Sequence, residues 1–526
     1  LCPTGCNETF FISCVTVLLQ STSNVGPEPL IGMFRRLYHR ILAPKLHLCR
    51  IYYIHWGLLP GYLLLQVVRL IWCSVQSIYW ELNGIGKHLR AIKRGELYEQ
   101  SAHALNVLFY VRAVPTDKVR NSQFLTVHSE FIHPEIVLQD NVIIADIDNN
   151  GALFLELKRS IEHYTPSELL FLWMGVGYHT KRLIWLPLDS CFRLADQIGD
   201  PASRNHRVTF LFNSGRCGST LMVKIIHHAD PKTMVLSEPP VLMSLYCLKL
   251  HTTTDRFRRI TRAALLLLLK PTSNEKICRY VVKPIFFILN LAEDIHGALR
   301  SAHCYFIYRQ PLKMVLAHDR AFAPTIFFKL VQLSFYLKRW DEGQQYVGFH
   351  RDSHVAHCAN VYLKPTMFET CVVIWADNLI NYLRQANEFY FPAYLYDKVF
   401  DGREQFCTDV LDMCGVPRSC LGAAMSCMDQ DAQDGCMFSQ SMLKPCPFTK
   451  ISAEQKLRIN RFCDALHLPR LVPESRERIP VLKKSLKSPI DLLLQAPNNY
   501  RIGDFGTSSK TLIKPFPVQC MITSDR

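Results

Sequence analysis

Residues 210–222, FLFNSGRCGSTLM, set the reading of this chain. The run VTFLFN (208–213) is apolar, short and rich in β-branched and aromatic residues, as a buried strand is. A turn with Gly215 and Gly218 follows. Ser219-Thr220 then opens STLMVKIIHH, whose apolar period predicts a helix. Glycines let a backbone close around a small anion. The N–H groups of a helix start point at that anion, with the helix dipole behind them. Arg216 adds a permanent cation with a bidentate donor face. Ser214, Gly215, Arg216, Cys217, Gly218, Ser219 and Thr220 are therefore the candidate phosphate-binding residues. The Gly-x-x-x-x-Gly-Lys-Ser/Thr spacing and its lysine are missing, which disfavours a kinase or NTPase. The plain alternative is an ordinary glycine-bearing turn. Cys217 stands at a helix start, a position that lowers a thiol pKa, though it reads first as a small residue in the loop.

The strand–helix rhythm continues outward. Strands are expected at 233–240 (TMVLSEPP), 278–284 (CRYVVKP), 304–311 (CYFIYRQP) and 390–397 (YFPAYLYD). Helices are expected at 255–269, 291–300, from 312, at 373–387 and at 403–414. Repeated β-α units with apolar strands predict an α/β fold, a parallel sheet flanked by helices on both faces. Upstream, VLFYVRAVP, FLTVHSEFIHP and NVIIADID read as strands, and 165–198 as helical. The expected organisation is an apolar and basic region at 1–100 and a mixed α/β extension at 101–205. The α/β domain proper then covers 206–440 with an insertion at 325–370. A loop-rich extension at 441–526 carries one helix near 452–466.

The chain has 526 residues, 49% of them hydrophobic and 20% charged, a globular balance that excludes a disordered or collagen-like protein. Sixty Lys and Arg against forty-five Asp and Glu give a net charge of +15, which favours anionic partners without choosing among them. No basic patch with interleaved aromatics marks a nucleic-acid-binding module. Twenty cysteines include no Cys-x-x-Cys pair, so zinc-ribbon spacing is absent. The cluster Cys414, Cys420, Cys427, Cys436 and Cys446 fits disulfides or free buried thiols equally. One sequon, Asn7-Glu8-Thr9, gives little support to heavy glycosylation.

Residues 51–68 contain no Asp, Glu, Lys or Arg, and after Arg69 the apolar run continues to Trp80. Region 51–80 is thus a candidate single membrane segment. Arg35, Arg36, Arg40, Lys45 and Arg50 before it favour a type II orientation. Pro60, His55 and Arg69 favour an interfacial or buried helix pair instead.

Arg309 closes the strand at 304–311, ahead of Pro311 and a helix. SGRCGSTLM followed by IYRQPLKMVLAH resembles the PAPS-dependent sulfotransferases (PAPS is 3'-phosphoadenosine 5'-phosphosulfate). SEPP resembles the Ser-Glu-Pro of several carbohydrate-type members, and VVKP the third strand with its lysine. YLYDKVF and CGVP look like degraded forms of two further motifs. The resemblance covers roughly 205–420, with looser likeness to uncharacterised invertebrate members at 121–200 and 428–470.

The resemblance implies a P-loop sulfotransferase-like fold with PAPS as sulfuryl donor, no metal and a hydroxyl acceptor, possibly on a glycan. It implies that Arg216 and its loop hold the 5'-phosphosulfate and Arg309 the 3'-phosphate. Lys283 would reach a sulfuryl oxygen, against the alternative of a solvated strand-end lysine. Where cytosolic members place a histidine base stands Ile285, so Glu238 is the candidate base, against a salt bridge or helix cap. The catalytic candidates are thus Glu238, Lys283 and Arg216. With a type II segment, the resemblance points to the Golgi membrane ahead of the cytoplasm. Ala317 replaces the family's serine, Asp431-Ala432-Gln433 lacks another, and Asp397 stands without the usual arginine. These losses favour a second expectation, a catalytically degenerate nucleotide- or partner-binding protein. His318 reads as structural, and His227 and His228 as complements to the helix dipole.

Overall fold

Two five-stranded sheets organise the chain. The computed structural model describes residues 64–471 apart from 65, 111–117, 166–167, 250, 323–353, 365, 391–392, 401, 435, 437 and 445–447. The first sheet is antiparallel: β1 (Ala102–Tyr110), β2 (Phe124–Ile132), β3 (Val142–Ile147), β4 (Gly151–Leu157) and β5 (Thr180–Pro187), in the order β2-β1-β5-β4-β3. The second is parallel: β6 (Arg207–Asn213), β7 (Thr233–Ser237), β8 (Arg279–Lys283), β9 (His303–Tyr308) and β10 (Tyr394–Leu395), in the order β10-β9-β6-β8-β7.

The parallel sheet is the expected one, with helices packed over it. Strand β6 lies at its centre, paired with β8 on one side and β9 on the other, and every residue after Arg207 is buried. A strand covered on both faces has no polar side, which is why VTFLFN reads as one apolar run. The chain leaves β6 toward β7 and later returns across it to β9. The loop after β6 therefore opens at the carboxyl ends of the strands where the order reverses, the usual crevice for a ligand.

Several expectations need correcting. Residues 180–187 are not helical. TKRLIWLP forms β5, the central antiparallel strand, paired with β1 and β4. A short apolar run does not distinguish a buried strand from a helix, and two open neighbours decide it here. Strand β4 carries no alternation because all seven of its residues are buried. The strand expected at 390–397 contracts to Tyr394–Leu395. The helix expected at 373–387 starts earlier, at Met367, where the Thr366 hydroxyl accepts from Glu369 N at 3.2 Å and caps it. The expected helix near 452–466 is present at Ala453–Ala465, capped by Ser452. Much of the expected insertion, and everything beyond Leu471, lies outside the described residues.

One hydrophobic core spans both sheets, joining Phe154 and Leu183 of the antiparallel sheet to Phe210 and Leu236 of the parallel one. Lys270, just before β8, is buried, and its Nζ donates to the carbonyls of Val137, Gln139 and Val142 at 2.5–2.6 Å. Burial pulls its pKa down to about 7. The described cysteines, among them Cys414, Cys420, Cys427 and Cys436, are free thiols, while Cys446 lies outside the described residues.

Of the candidate membrane segment, 51–63 lies outside the described residues, and 66–82 is helical. No helix among the described residues is long and apolar enough to cross a membrane. The inner side of this helix meets His103, which stacks on Phe131 at 4.8 Å and touches His128 through ring nitrogens 2.9 Å apart. Burial first, then His128 and His88, lower the His103 pKa to about 3. An unfolded chain takes up that proton near pH 6.5, and the folded chain only near pH 3. Stability is therefore complete above about pH 6.5 and is lost progressively as pH falls toward 3. Thermal unfolding followed from pH 7 to pH 4 should show a falling Tm, with a shallower fall in His103→Phe.

Candidate active site

The turn after β6 closes as its glycines require. Gly215 and Gly218 have φ of 78° and 75°. A Cβ on Gly215 would strike His318 and the Phe286 ring, and one on Gly218 would lie inside the Tyr396 ring. Arg216 itself takes φ 49°, a left-handed conformation that costs a non-glycine residue energy and is found at tight functional turns. Ser219 begins the helix Ser219–Ala229, so the loop ends in free helix-start N–H groups.

Arg216 is half-buried. Its Nη1 donates to Gln433 Oε1 at 2.8 Å, and the guanidinium lies 5.7 Å from the Phe438 ring centre. Burial lowers its pKa, with Arg309 adding repulsion against the pull of Asp431 and other neighbours. Arg309 follows β9, and its Nη1 donates to the Arg216 carbonyl at 3.4 Å. Its Nε finds no hydrogen bond and stands 4.0 Å from Asp397, which accepts from Lys313 Nζ and Gln310 N, each at 2.9 Å. The two arginines expected from separate strands thus meet at one point. Ala317 lines the same cavity, as does Ile285.

Lys283 and Glu238 end the neighbouring strands β8 and β7. Lys283 is 2% exposed, so the solvated strand-end alternative is overturned. Its Nζ bonds Glu238 Oε1 and lies 4.8 Å over the Phe171 ring. Glu238 adopts φ 53°. Its backbone N donates to Lys283 O at 2.7 Å, and Trp173 Nε1 donates to Oε2 at 2.5 Å. The salt bridge weighed as an alternative for Glu238 therefore exists, inside the cavity wall. Trp173 was not among the sequence candidates. It comes from the β4–β5 connection of the antiparallel sheet, 65 residues away, with no local motif to mark it. Gln433 stood in the Asp431-Ala432-Gln433 segment noted in the sequence, but its contact with Arg216 was not expected.

The reactive-thiol alternative falls at Cys217, and the expectation for His227 changes. Cys217 is fully buried and bonds Ile307 O at 3.4 Å. Burial raises its thiol pKa, outweighing the helix start. Burial and the neighbouring His228 lower the His227 pKa, so at neutral pH it adds no charge to the dipole. His318 is buried beside the loop as expected, its Nδ1 3.2 Å from Met314 O, and desolvation followed by Arg216 lowers its pKa to about 3.

Arg216, Glu238, Lys283, Arg309 and Trp173 line one cavity of about 1320 Å³, large enough for a nucleotide and a second molecule. No group of three or more His, Cys, Asp or Glu among the described residues could hold a metal. Fold and site together define an α/β protein with an arginine-bearing glycine turn at the switch point of a parallel sheet. No family matches the chain, and no curated protein does. Solved structures similar to part of it include a sulfotransferase from Alicyclobacillus acidocaldarius, at 13% identity and a TM-score of 0.23 over 50% of this chain and 97% of that one. Another is the sulfotransferase domain from the curacin biosynthetic pathway, at 13% identity and a TM-score of 0.28 over 50% of this chain and 98% of that one.

The buried thiol gives a direct check. Brief treatment of the native protein with iodoacetamide should leave Cys217 unlabelled by peptide mass spectrometry, and denaturant should expose it. Rapid labelling without denaturant would mean the loop is open.

Proposed function

We propose that this chain transfers a sulfuryl group from PAPS to an acceptor hydroxyl. The observation that carries the reading is the convergence of Arg216 and Arg309 on one cavity whose wall holds the Lys283–Glu238 pair. The residues fit a donor with two anionic ends. The 214–220 turn suits a phosphosulfate, and Arg309, whose Nε makes no hydrogen bond, suits a second phosphate. PAPS bound there would supply the sulfuryl group.

The chain's own residues then have separate tasks. Charge builds on oxygens during such a transfer, so positioning and charge stabilisation dominate. Arg216 and the loop N–H groups stabilise the leaving end. Glu238 takes the proton of the acceptor hydroxyl: that O–H bond breaks and a carboxyl O–H forms. Protonation neutralises the partner of Lys283 and releases its ammonium toward the charge developing beside it. Trp173 holds the second carboxylate oxygen and so fixes the face that Glu238 presents. A carbohydrate hydroxyl is the acceptor class put first, since the Phe171, Trp173 and Phe286 rings beside Glu238 offer apolar faces to ring hydrogens.

A second reading has its own support. Asp397 lies within 4.0 Å of Arg309 and Ala317 offers no hydroxyl, which suits a chain that binds an anion without turnover.

Calorimetric titration with 3',5'-adenosine bisphosphate, with ATP as control, tests the site that both readings need, and turnover of PAPS separates the two. Binding of the bisphosphate in the micromolar range, abolished in Arg216→Ala, is expected. No binding by folded protein would remove the two-phosphate reading. Glu238→Gln should keep that binding and lower turnover of radiolabelled PAPS by about 10²–10⁴-fold, the usual contribution of a general base. Full activity in Glu238→Gln would take the role from this residue. Trp173→Phe keeps a ring and loses only the N–H donor, so kcat should fall about tenfold or more with bisphosphate affinity unchanged.

A further inference from the structure

The helix 66–82 is built inside out. Its inward side is polar: Gln66 Nε2 donates to Ser122 O at 3.0 Å, and Trp72 Nε1 and Gln76 Nε2 both donate to Thr126 O at 2.8 and 2.9 Å. Strand β2 is an edge strand, and its outward carbonyls need donors that no further strand supplies. The sheet edge thus holds the helix's polar side, and the apolar side is left outside. Val67, Ile71, Val75, Ile78 and Leu82 recur every three or four residues and are each more than half exposed. More than half of the exposed large apolar residues among the described residues lie at 64–82.

The surrounding sequence narrows what can cover this stripe. Residues 51–63, directly before it, carry no charged side chain. Residues 31–94 contain ten Lys and Arg and one acidic residue, Glu81. A long apolar stripe amid basic residues is the pattern of a helix lying in a membrane interface, with its cations at anionic headgroups.

We infer that helix 66–82 docks its outer face on an anionic lipid bilayer, lying in the plane of the interface with β2 against its back. The bilayer takes the apolar stripe, and the helix does not cross it, because Gln66, Trp72 and Gln76 stay bonded to the sheet. The inference does not depend on the sulfuryl-transfer reading, and its test needs no turnover.

The test is flotation of the full chain with vesicles of phosphatidylcholine alone or with added phosphatidylserine. Flotation with the anionic vesicles, weakened by salt, is expected. A triple change, Ile71→Ser with Val75→Ser and Ile78→Ser, should reduce the bound fraction at least tenfold at unchanged Tm. If the triple variant does not fold, Ile71→Gln alone should weaken binding several-fold, since that side chain touches solvent. Equal binding of wild type and the folded variants would overturn the inference and assign any lipid affinity to other residues. A vesicle-free dimer that the same changes dissolve would also overturn it, making the stripe a contact between two copies of the chain.

Discussion

A buried ammonium and a buried carboxylate at the ends of adjacent strands form the constraint on which the site depends. Neither Lys283 nor Glu238 could stay charged away from water alone, because desolvation of a lone charge costs far more than a domain's stability allows. Each needs the other, and the carboxylate needs a second donor. The left-handed φ of Glu238 follows from this, since the chain must turn sharply after β7 to bring the carboxylate back to β8. The backbone bond from Glu238 N to Lys283 O locks that turn.

The second donor explains why the two sheets belong together. Trp173 reaches Glu238 through its indole, and its backbone N also donates to Glu238 O at 3.2 Å. Phe171, two residues earlier, covers the Lys283 ammonium. The antiparallel sheet therefore forms part of the cavity wall and fixes the charges of the parallel one. On the opposite wall, Gln433 engages Arg216 from far along the chain. The turn after β6 supplies the centre, and distant segments supply what orients it.

What could be read in the sequence followed the range of the interactions involved. The turn at 214–218 was legible because its conformation is local: strand, two glycines and a helix start lie within a dozen residues. The parallel sheet was legible because burial on both faces leaves unbroken apolar runs. Strand β5 was not, because TKRLIWLP is apolar enough for either element and its partners β1 and β4 decide it. Trp173 and Gln433 were not, because their roles exist only after contacts across 65 and 217 residues form. Burial also removed two local alternatives, a solvated lysine and a reactive thiol. Cys217 and Lys283 were judged by their places on a helix and a strand, but the solvent those places usually offer is missing.

Lys270 places one ammonium where three carbonyls of the antiparallel region, those of Val137, Gln139 and Val142, converge on it. Separating the sheets would return that group and its three carbonyl acceptors to water and forfeit three hydrogen bonds at once. Those three bonds, together with the core that both sheets share, tie the stability of each sheet to that of the other.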